Sequence, residues 1–191
     1  EQAISFLPKI QDGEMVESSA TIAEVGGSAT SILAGERTAL NFLQRLSGTA
    51  TLTAQFVNAI SHTSAQIVDT RKTTAGWRLL QKYAVRVGGG RNHRFGLYDG
   101  ILIKDNHIVA AGGIKSAIAG AKKTIPHTLK VEVEVKMLDQ ISEALEAGAD
   151  IVLLDNMTNT DMKTAVAKIS GKALTEASGG ITLDRVAGVA E

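Results

Sequence analysis

The chain has 191 residues, 44% hydrophobic and 21% charged, which is enough for a core of ordinary size in a globular protein. Its 20 basic residues balance 20 acidic ones, and aromatics make up only 4%, so neither a basic nucleic-acid surface nor a stacking platform for single strands is expected. No cysteine is present, which excludes disulfides, thiolate metal sites and a cysteine nucleophile and fits a reducing cytoplasm, the expected location.

No apolar run reaches the roughly 18 residues of a membrane span. Residues 1–35 predict short strands punctuated by Asp12-Gly13 and Gly26-Gly27. Residues 36–61 predict two helices. In GERTALNFLQRLSG, Leu40, Phe42, Leu43 and Leu46 fall near one stripe and Gly48 is a plausible stop; TLTAQFVNAI follows with Leu52, Phe56 and Ile60 at spacing four. From residue 66 onward, short β-type runs alternate with helical stretches. The predicted strands are 66–70, 84–87, 100–105, 130–135, 150–156 and 173–178. The predicted helices are 114–123, 137–148, 159–170 and the last segment, ITLDRVAGVAE. Such alternation with short loops predicts a parallel α/β sheet.

Several predicted strands end in a polar residue: Asp69, Lys104, Glu134, Asp155 and Glu176. Ligands of parallel α/β folds sit at the carboxyl ends of strands, so this regularity favours a barrel with a polar mouth. In KVEVEV, Glu132 and Glu134 share one strand face and Val131, Val133 and Val135 the other. Two carboxylates on one face imply either a barrel mouth facing a polar ligand or an exposed edge strand.

Charge is concentrated in one segment. Between Arg71 and Lys104 there are eight cations (Arg71, Lys72, Arg78, Lys82, Arg86, Arg91, Arg94, Lys104) and one acid, Asp99. Arg71, Lys72, Arg94 and Lys104 lie at strand ends or beside glycines, where guanidinium and ammonium groups would meet carboxylates or phosphates. For Arg78, Lys82 and Arg86 a solvated helix face is an equal reading. Gly88-Gly89-Gly90 suggests unusual backbone angles and close approach to a ligand. Ser178-Gly179-Gly180, after a strand and before a helix expected near Thr182, has the pattern of a phosphate-binding turn. Glu134 and Asp155 could hold Mg²⁺, directly or through water, or bind sugar hydroxyls. Glu132, Glu176 and Asp69 are lesser candidates. His93, between Asn92 and Arg94, is expected to touch substrate; His62 and His127 are expected at the surface. Together these features indicate an enzyme of sugar phosphates or phosphoribosyl groups, without saying which.

The motifs ERTALNFLQRLSG, DTRKTTAGWRLLQKYAVRVGGGRNHRFGLYDGILIKDNH, VEVEV, LLDN and EASGGIT, in this order, closely resemble the quinolinate phosphoribosyltransferase family over roughly residues 14–187. The resemblance implies an open, incomplete TIM-like α/β barrel over 36–191, preceded by a remnant of a small α/β sandwich domain over 1–35. It implies phosphoribosyl transfer from phosphoribosyl pyrophosphate to quinolinate with decarboxylation, Mg²⁺ as cofactor, and a homodimer or larger assembly. By resemblance, Arg37 would complete the neighbouring subunit's site. Arg71, His93, Arg94 and Lys104 would line the quinolinate pocket, Lys72 would meet the phosphoribosyl donor, and Thr70 would bind substrate. Glu134 and Asp155 would hold ribose hydroxyls and help place Mg²⁺, directly or through the pyrophosphate. Lys104, Glu134 and Asp155 are the expected catalytic residues, and Ser178, Gly179 and Gly180 would bind the 5′-phosphate.

Ala75 stands where the family usually has proline, so a looser turn is expected there. The N-terminus is expected to lack much of the sandwich, and the C-terminus to stop before the last barrel strands. Alternatives are a related barrel acting on nicotinate or on a molybdenum-linked substrate, a non-catalytic binding protein, an inactive fragment, or a Schiff-base aldolase using Lys104.

Overall fold

The computed structural model describes residues 3–191. The chain divides into two compact units, the first ending at His93 and the second starting at Arg94.

In the first unit, β1 (Ser5–Pro8) and β2 (Ala23–Gly26) form an antiparallel ribbon with Ser5 opposite Gly26. One long helix follows, α1 (Ala29–Ala59), 31 residues and therefore about 46 Å long. Two helices were expected here. Gly48 does not stop α1, because an exposed interior glycine costs only about 1 kcal/mol and no rival turn is offered. Hydroxyls along α1 bond back to the helix, Thr49 Oγ1 to the Arg45 carbonyl and Thr53 Oγ1 to the Thr49 carbonyl. Helix α2 (Arg78–Val87) packs on α1, with Trp77 stacked on Phe42 at a centroid distance of 4.4 Å.

Residues 84–87, expected as a strand, are the last turn of α2. The β-type run is too short to outweigh the helical stretch it continues. Segment 66–70 likewise forms no strand, only a single parallel bridge from Val68 to Arg91. The triple glycine takes the unusual backbone angle expected of it and also serves packing. Gly89 takes φ +86°, and the Gly89 and Gly90 amides bond the Arg86 and Val85 carbonyls, closing α2 with a left-handed cap. A Cβ on Gly88 would lie 2.4 Å from the Ala50 carbonyl oxygen, and one on Gly90 2.9 Å from a Thr53 methyl. Two of the three glycines therefore let the end of α2 lie against α1.

In the second unit, β3 (Ile101–Ile103), β4 (Val131–Val135), β5 (Ile151–Asp155) and β6 (Leu174–Ser178) form a parallel sheet in chain order. The connecting helices are α3 (Asp105–Ala111), α4 (Ile114–Thr124), α5 (Leu138–Glu146) and α6 (Asn159–Ile169), with α7 (Val186–Ala190) after β6. Because no strand is skipped, right-handed crossovers place the helices on one side of the sheet, the winding of an α/β barrel. Among the described residues this parallel sheet is open, ending at β3 and β6. Helix α3 was not foreseen, and regular helix in the last segment begins only at Val186.

Strand alternation separates the two faces of the sheet. Ile103, Val131, Val133, Val135, Val152 and Leu154 form one core with Ile114, Ile118, Ile141, Met162, Ala165 and Ile169 of the helices. The opposite face carries Leu102, Glu132, Glu134, Leu153, Asp155, Glu176 and Ser178. Strand β4 lies between β3 and β5 and is buried throughout, so the edge-strand alternative for its two glutamates is excluded.

Candidate active site

At the carboxyl end of the parallel sheet, Lys104 directly follows β3 and its Nζ lies 2.8 Å from Glu134 Oε2. Two strands further along, Asp155 ends β5 opposite Ser178, which ends β6, and Ser178 Oγ donates to Asp155 Oδ1 at 3.3 Å. The sheet register thus brings Lys104, Glu134, Asp155 and Ser178 to one end of the sheet, as the strand-end pattern predicted for the first three, whereas β6 runs past Glu176 to end at Ser178 and Asp69 ends no strand. Helix α3 sets the Lys104 backbone, since its amide donates to Nδ1 of His107 at 2.9 Å.

A second ion pair flanks this edge. Lys136 Nζ donates to Asp105 Oδ2 at 3.0 Å. The Lys136 bond, helped by the Asn106 amide, holds the Asp105 carboxyl below its ordinary range. Asp105 in turn raises Lys136 above the ordinary lysine value, with weaker help from Glu134 and Asp155.

The turn after β6 is shaped by packing. Gly179 and Gly180 take φ +88° and +60°, and a Cβ on Gly179 would fall 2.2 Å from Asn156 Oδ1. Asn156, itself at φ +55°, donates its amide to the Ser178 carbonyl. Arg185 ties the turn to the β5–α6 loop, donating to the Gly180 carbonyl at 3.3 Å and the Met157 carbonyl at 2.6 Å. Coiling starts at Thr182, whose carbonyl accepts from the Arg185 and Val186 amides, and the regular helix begins at Val186. Asn156 and Arg185 are absent from the sequence expectations; αL-prone asparagine after a strand was the available signal for the first.

In the first unit, the basic loop is braced by one face of α2. Arg78 donates from Nε to Thr73 Oγ1 and from Nη2 to the Arg71 carbonyl, Gln81 accepts from the Thr74 amide, and Lys82 pairs with Asp69. Positions 78, 81 and 82 share a helix face. Lys82 is 3% exposed, so the solvated-face reading fails for it, while Arg86 is exposed and lies over the Tyr83 ring. Asp69 accepts from Lys82, Asn92 Nδ2 and the His93 amide, which gives it a structural task at this position. Thr70 Oγ1 accepts from the Lys72 amide, a local turn that sets the direction of Lys72. The Arg71 Nε is buried without a hydrogen-bond partner among the described residues. Arg37 is exposed on α1, Arg94 lies beside Gly100 in the second unit, and His62 and His127 are exposed as expected.

The donors at the sheet edge suit Mg²⁺. Glu134 and Asp155 offer hard carboxylate oxygens, and each engages the partner named above through a single oxygen.

A singly wound parallel sheet with a polar row of cations and carboxylates at its strand ends defines an α/β-barrel-type protein, the class whose ligands sit at that end. The chain belongs to the quinolinate phosphoribosyl transferase family: the model of that family's N-terminal domain matches residues 2–47 and that of its C-terminal domain residues 49–191. It is 48% identical over 184 residues to a probable nicotinate-nucleotide pyrophosphorylase (carboxylating) of Bacillus subtilis, covering 96% of this chain and 63% of that protein. It is 43% identical over 186 residues to the nicotinate-nucleotide pyrophosphorylase (carboxylating) of Homo sapiens, covering 95% of this chain and 62% of that one. Among solved structures, the nicotinate-nucleotide pyrophosphorylase of Francisella tularensis superposes with a TM-score of 0.93 at 48% identity, over 98% of this chain and 66% of that one. The chain thus spans less than two thirds of the length of these relatives.

Proposed function

We propose that the protein transfers the phosphoribosyl group of phosphoribosyl pyrophosphate to quinolinate, with decarboxylation, yielding nicotinate mononucleotide, pyrophosphate and CO₂ for NAD biosynthesis. The observation that carries this reading is the strand-end edge of Lys104, Glu134, Asp155 and Ser178, in a chain matched by both domain models of the family. A dicarboxylate with a phosphorylated sugar needs cations, hydroxyl acceptors and a phosphate turn, for which Lys104, the Glu134 and Asp155 carboxylates and the turn after Ser178 are the candidates.

In the reaction, the quinolinate ring nitrogen bonds to the anomeric carbon as the bond to pyrophosphate breaks. Positive charge builds on the ribose and negative charge on the leaving group. Glu134 and Asp155 would accept from the ribose hydroxyls and fix the sugar for attack, which removes much of the entropic barrier. Arg71, His93, Arg94 and Lys104 would line the quinolinate pocket, and Ser178, Gly179 and Gly180 would hold the 5′-phosphate. Mg²⁺, for which Glu134 and Asp155 are the proposed ligands, supplies charge neutralisation of the pyrophosphate when bound. CO₂ then departs from the carbon next to the ring nitrogen, the electron pair of the broken bond stays on that carbon as an ylide stabilised by the neighbouring quaternary nitrogen, and a proton takes the place of CO₂.

We further propose a homodimer, in which the exposed Arg37 on α1 reaches the neighbouring site, and a cytoplasmic location for a chain without cysteine. No described helix is long and apolar enough to cross a membrane. The test is direct: the full-length protein is mixed with quinolinate, phosphoribosyl pyrophosphate and Mg²⁺, with nicotinate replacing quinolinate in parallel. Nicotinate mononucleotide, followed by chromatography, is expected from quinolinate alone. Product from nicotinate alone, or from neither acid, would overturn the reading.

A further inference from the structure

A buried ion pair joins α2 to the loop that carries the first unit's basic residues. Lys82 is 3% exposed, and its Nζ bonds both the Asp69 carboxylate and the His93 carbonyl, the latter at 3.0 Å. The Asp69 carboxylate is used at both oxygens. Oδ1 also accepts from the His93 amide at 2.9 Å, and Oδ2 accepts from Asn92 Nδ2 at 2.6 Å. Asn92 Nδ2 donates in addition to the Lys82 carbonyl at 2.9 Å, so three side chains form a closed network.

This network ties together two short stretches far apart in sequence. One, Asp69–Lys72, carries Arg71 and is otherwise held by the Val68–Arg91 bridge, the Thr70 and Arg78 bonds and the Thr73 amide on the Arg71 carbonyl. The other, Arg91–His93, leads out of the α2 cap and has no regular secondary structure beyond that bridge. Burying an ion pair is costly, and a hydrophobic pair would hold the same elements at least as well. What the ion pair adds is direction, since each bond it makes fixes a backbone or side-chain group on one of the two stretches. The Arg71 Nε is buried without a hydrogen-bond partner among the described residues. A planar carboxylate fits a guanidinium fork.

We propose that Asp69, Lys82 and Asn92 are positioning residues, which hold the Arg71 and His93 stretches in the orientation that receives a carboxylate of the pyridine-dicarboxylate substrate. The assignment rests on the proposed activity, in which Arg71 and His93 meet quinolinate. None of the three touches the substrate. They act through the backbone of Thr70–Arg71 and of His93, so their loss weakens quinolinate binding before it unfolds the protein.

The experiment is calorimetric binding of quinolinate to the full-length protein and its variants, with folding checked by circular dichroism and thermal melting. Wild type comes first: if it does not bind quinolinate, the proposed activity fails, independently of the variants. Lys82→Met alone strands a buried carboxylate and risks the fold. Asn92→Ala and the double variant Asp69→Asn with Lys82→Met are therefore the informative ones, because neither leaves a buried charge uncompensated. Asn92 is exposed, and its removal deletes only the two bonds described. Each folded variant is expected to raise the quinolinate Kd at least tenfold. When His93→Ala is added, the combined loss is expected to be smaller than the product of the separate losses, as for residues acting through one group. Folded Asn92→Ala with a Kd within twofold of wild type would overturn the proposal. So would losses that multiply independently of His93.

Discussion

Lys104 Nζ and Glu134 Oε2 are 2.8 Å apart, yet the lysine side chain is 46% exposed and the glutamate 8%. The cation faces the open end of the sheet and the acid lies beneath it. Water reaching Lys104 screens the pair only in part, and Lys104→Met leaves the nearly buried Glu134 carboxylate without its cation, so it is expected to lower stability by about 1–3 kcal/mol. Under the proposed function catalysis should suffer far more, because the lost charge is one that would meet the anionic substrate. We expect kcat/KM to fall by on the order of 10²–10³. Steady-state kinetics beside a urea melt checks this; a stability loss with activity intact would reverse the assignment.

The glycines of the first unit should respond oppositely to alanine. Gly48 lies in the exposed interior of α1 with open space around its Cβ position, so Gly48→Ala is expected to stabilise by about 0.4–1 kcal/mol. Gly88 has a φ any residue can adopt, −75°, but its Cβ would press on the Ala50 carbonyl. Gly88→Ala is expected to destabilise by about 1–3 kcal/mol through overpacking. Urea midpoints at unchanged m-value decide both.

Gly179→Ala meets strain twice, from φ +88° and from Asn156. Displacing this turn by even an ångström moves the proposed phosphate-binding amides. A rise in KM for phosphoribosyl pyrophosphate of roughly tenfold to 10²-fold is expected, with quinolinate binding little changed. Equal weakening of both substrates would argue for a general collapse instead.

The Asp105–Lys136 pair gives a pH prediction. Asp105 titrates below its unfolded value in the folded protein, so its stabilising contribution is full above that unfolded value and is lost as pH falls through the folded one. Lys136 titrates above its unfolded value, so its contribution is full below that value and is lost as pH rises through the folded one. Carboxylate resonances followed by NMR should place the Asp105 midpoint below the ordinary aspartate range. Lys136→Met should move it upward, and an unmoved midpoint would show that the ion pair is not its cause.

The second unit was largely legible in the sequence because its signals are local and periodic. Val131 to Val135 alternate with glutamates, and the helices after β4 and β5 have clear spacing. Lys104, Glu134, Asp155 and Ser178 could be placed together because strand ends in parallel sheets converge. The first unit was harder to read. Gly48 looked like a stop, although a helix tolerates one glycine when the chain on both sides favours continuing. Val85 and Val87 suggested a strand, but their backbone is set by Tyr83, Ala84 and the cap at Gly89. Lys82 resembled a solvated lysine because its partner, Asp69, lies thirteen positions away, a distance that no helical or strand period encodes. Asn156 and Arg185 were missed for the same reason, since each acts on a turn from another element.

Strand β4 divides its five residues between two tasks, the valines holding the helices and the glutamates lining the sheet's other face. Every second position can therefore drift independently of its neighbours. A descendant of this chain could acquire a new ligand by altering Glu132 and Glu134 while inheriting Val131, Val133 and Val135 unchanged. The same backbone could then present a different strand face without being folded anew.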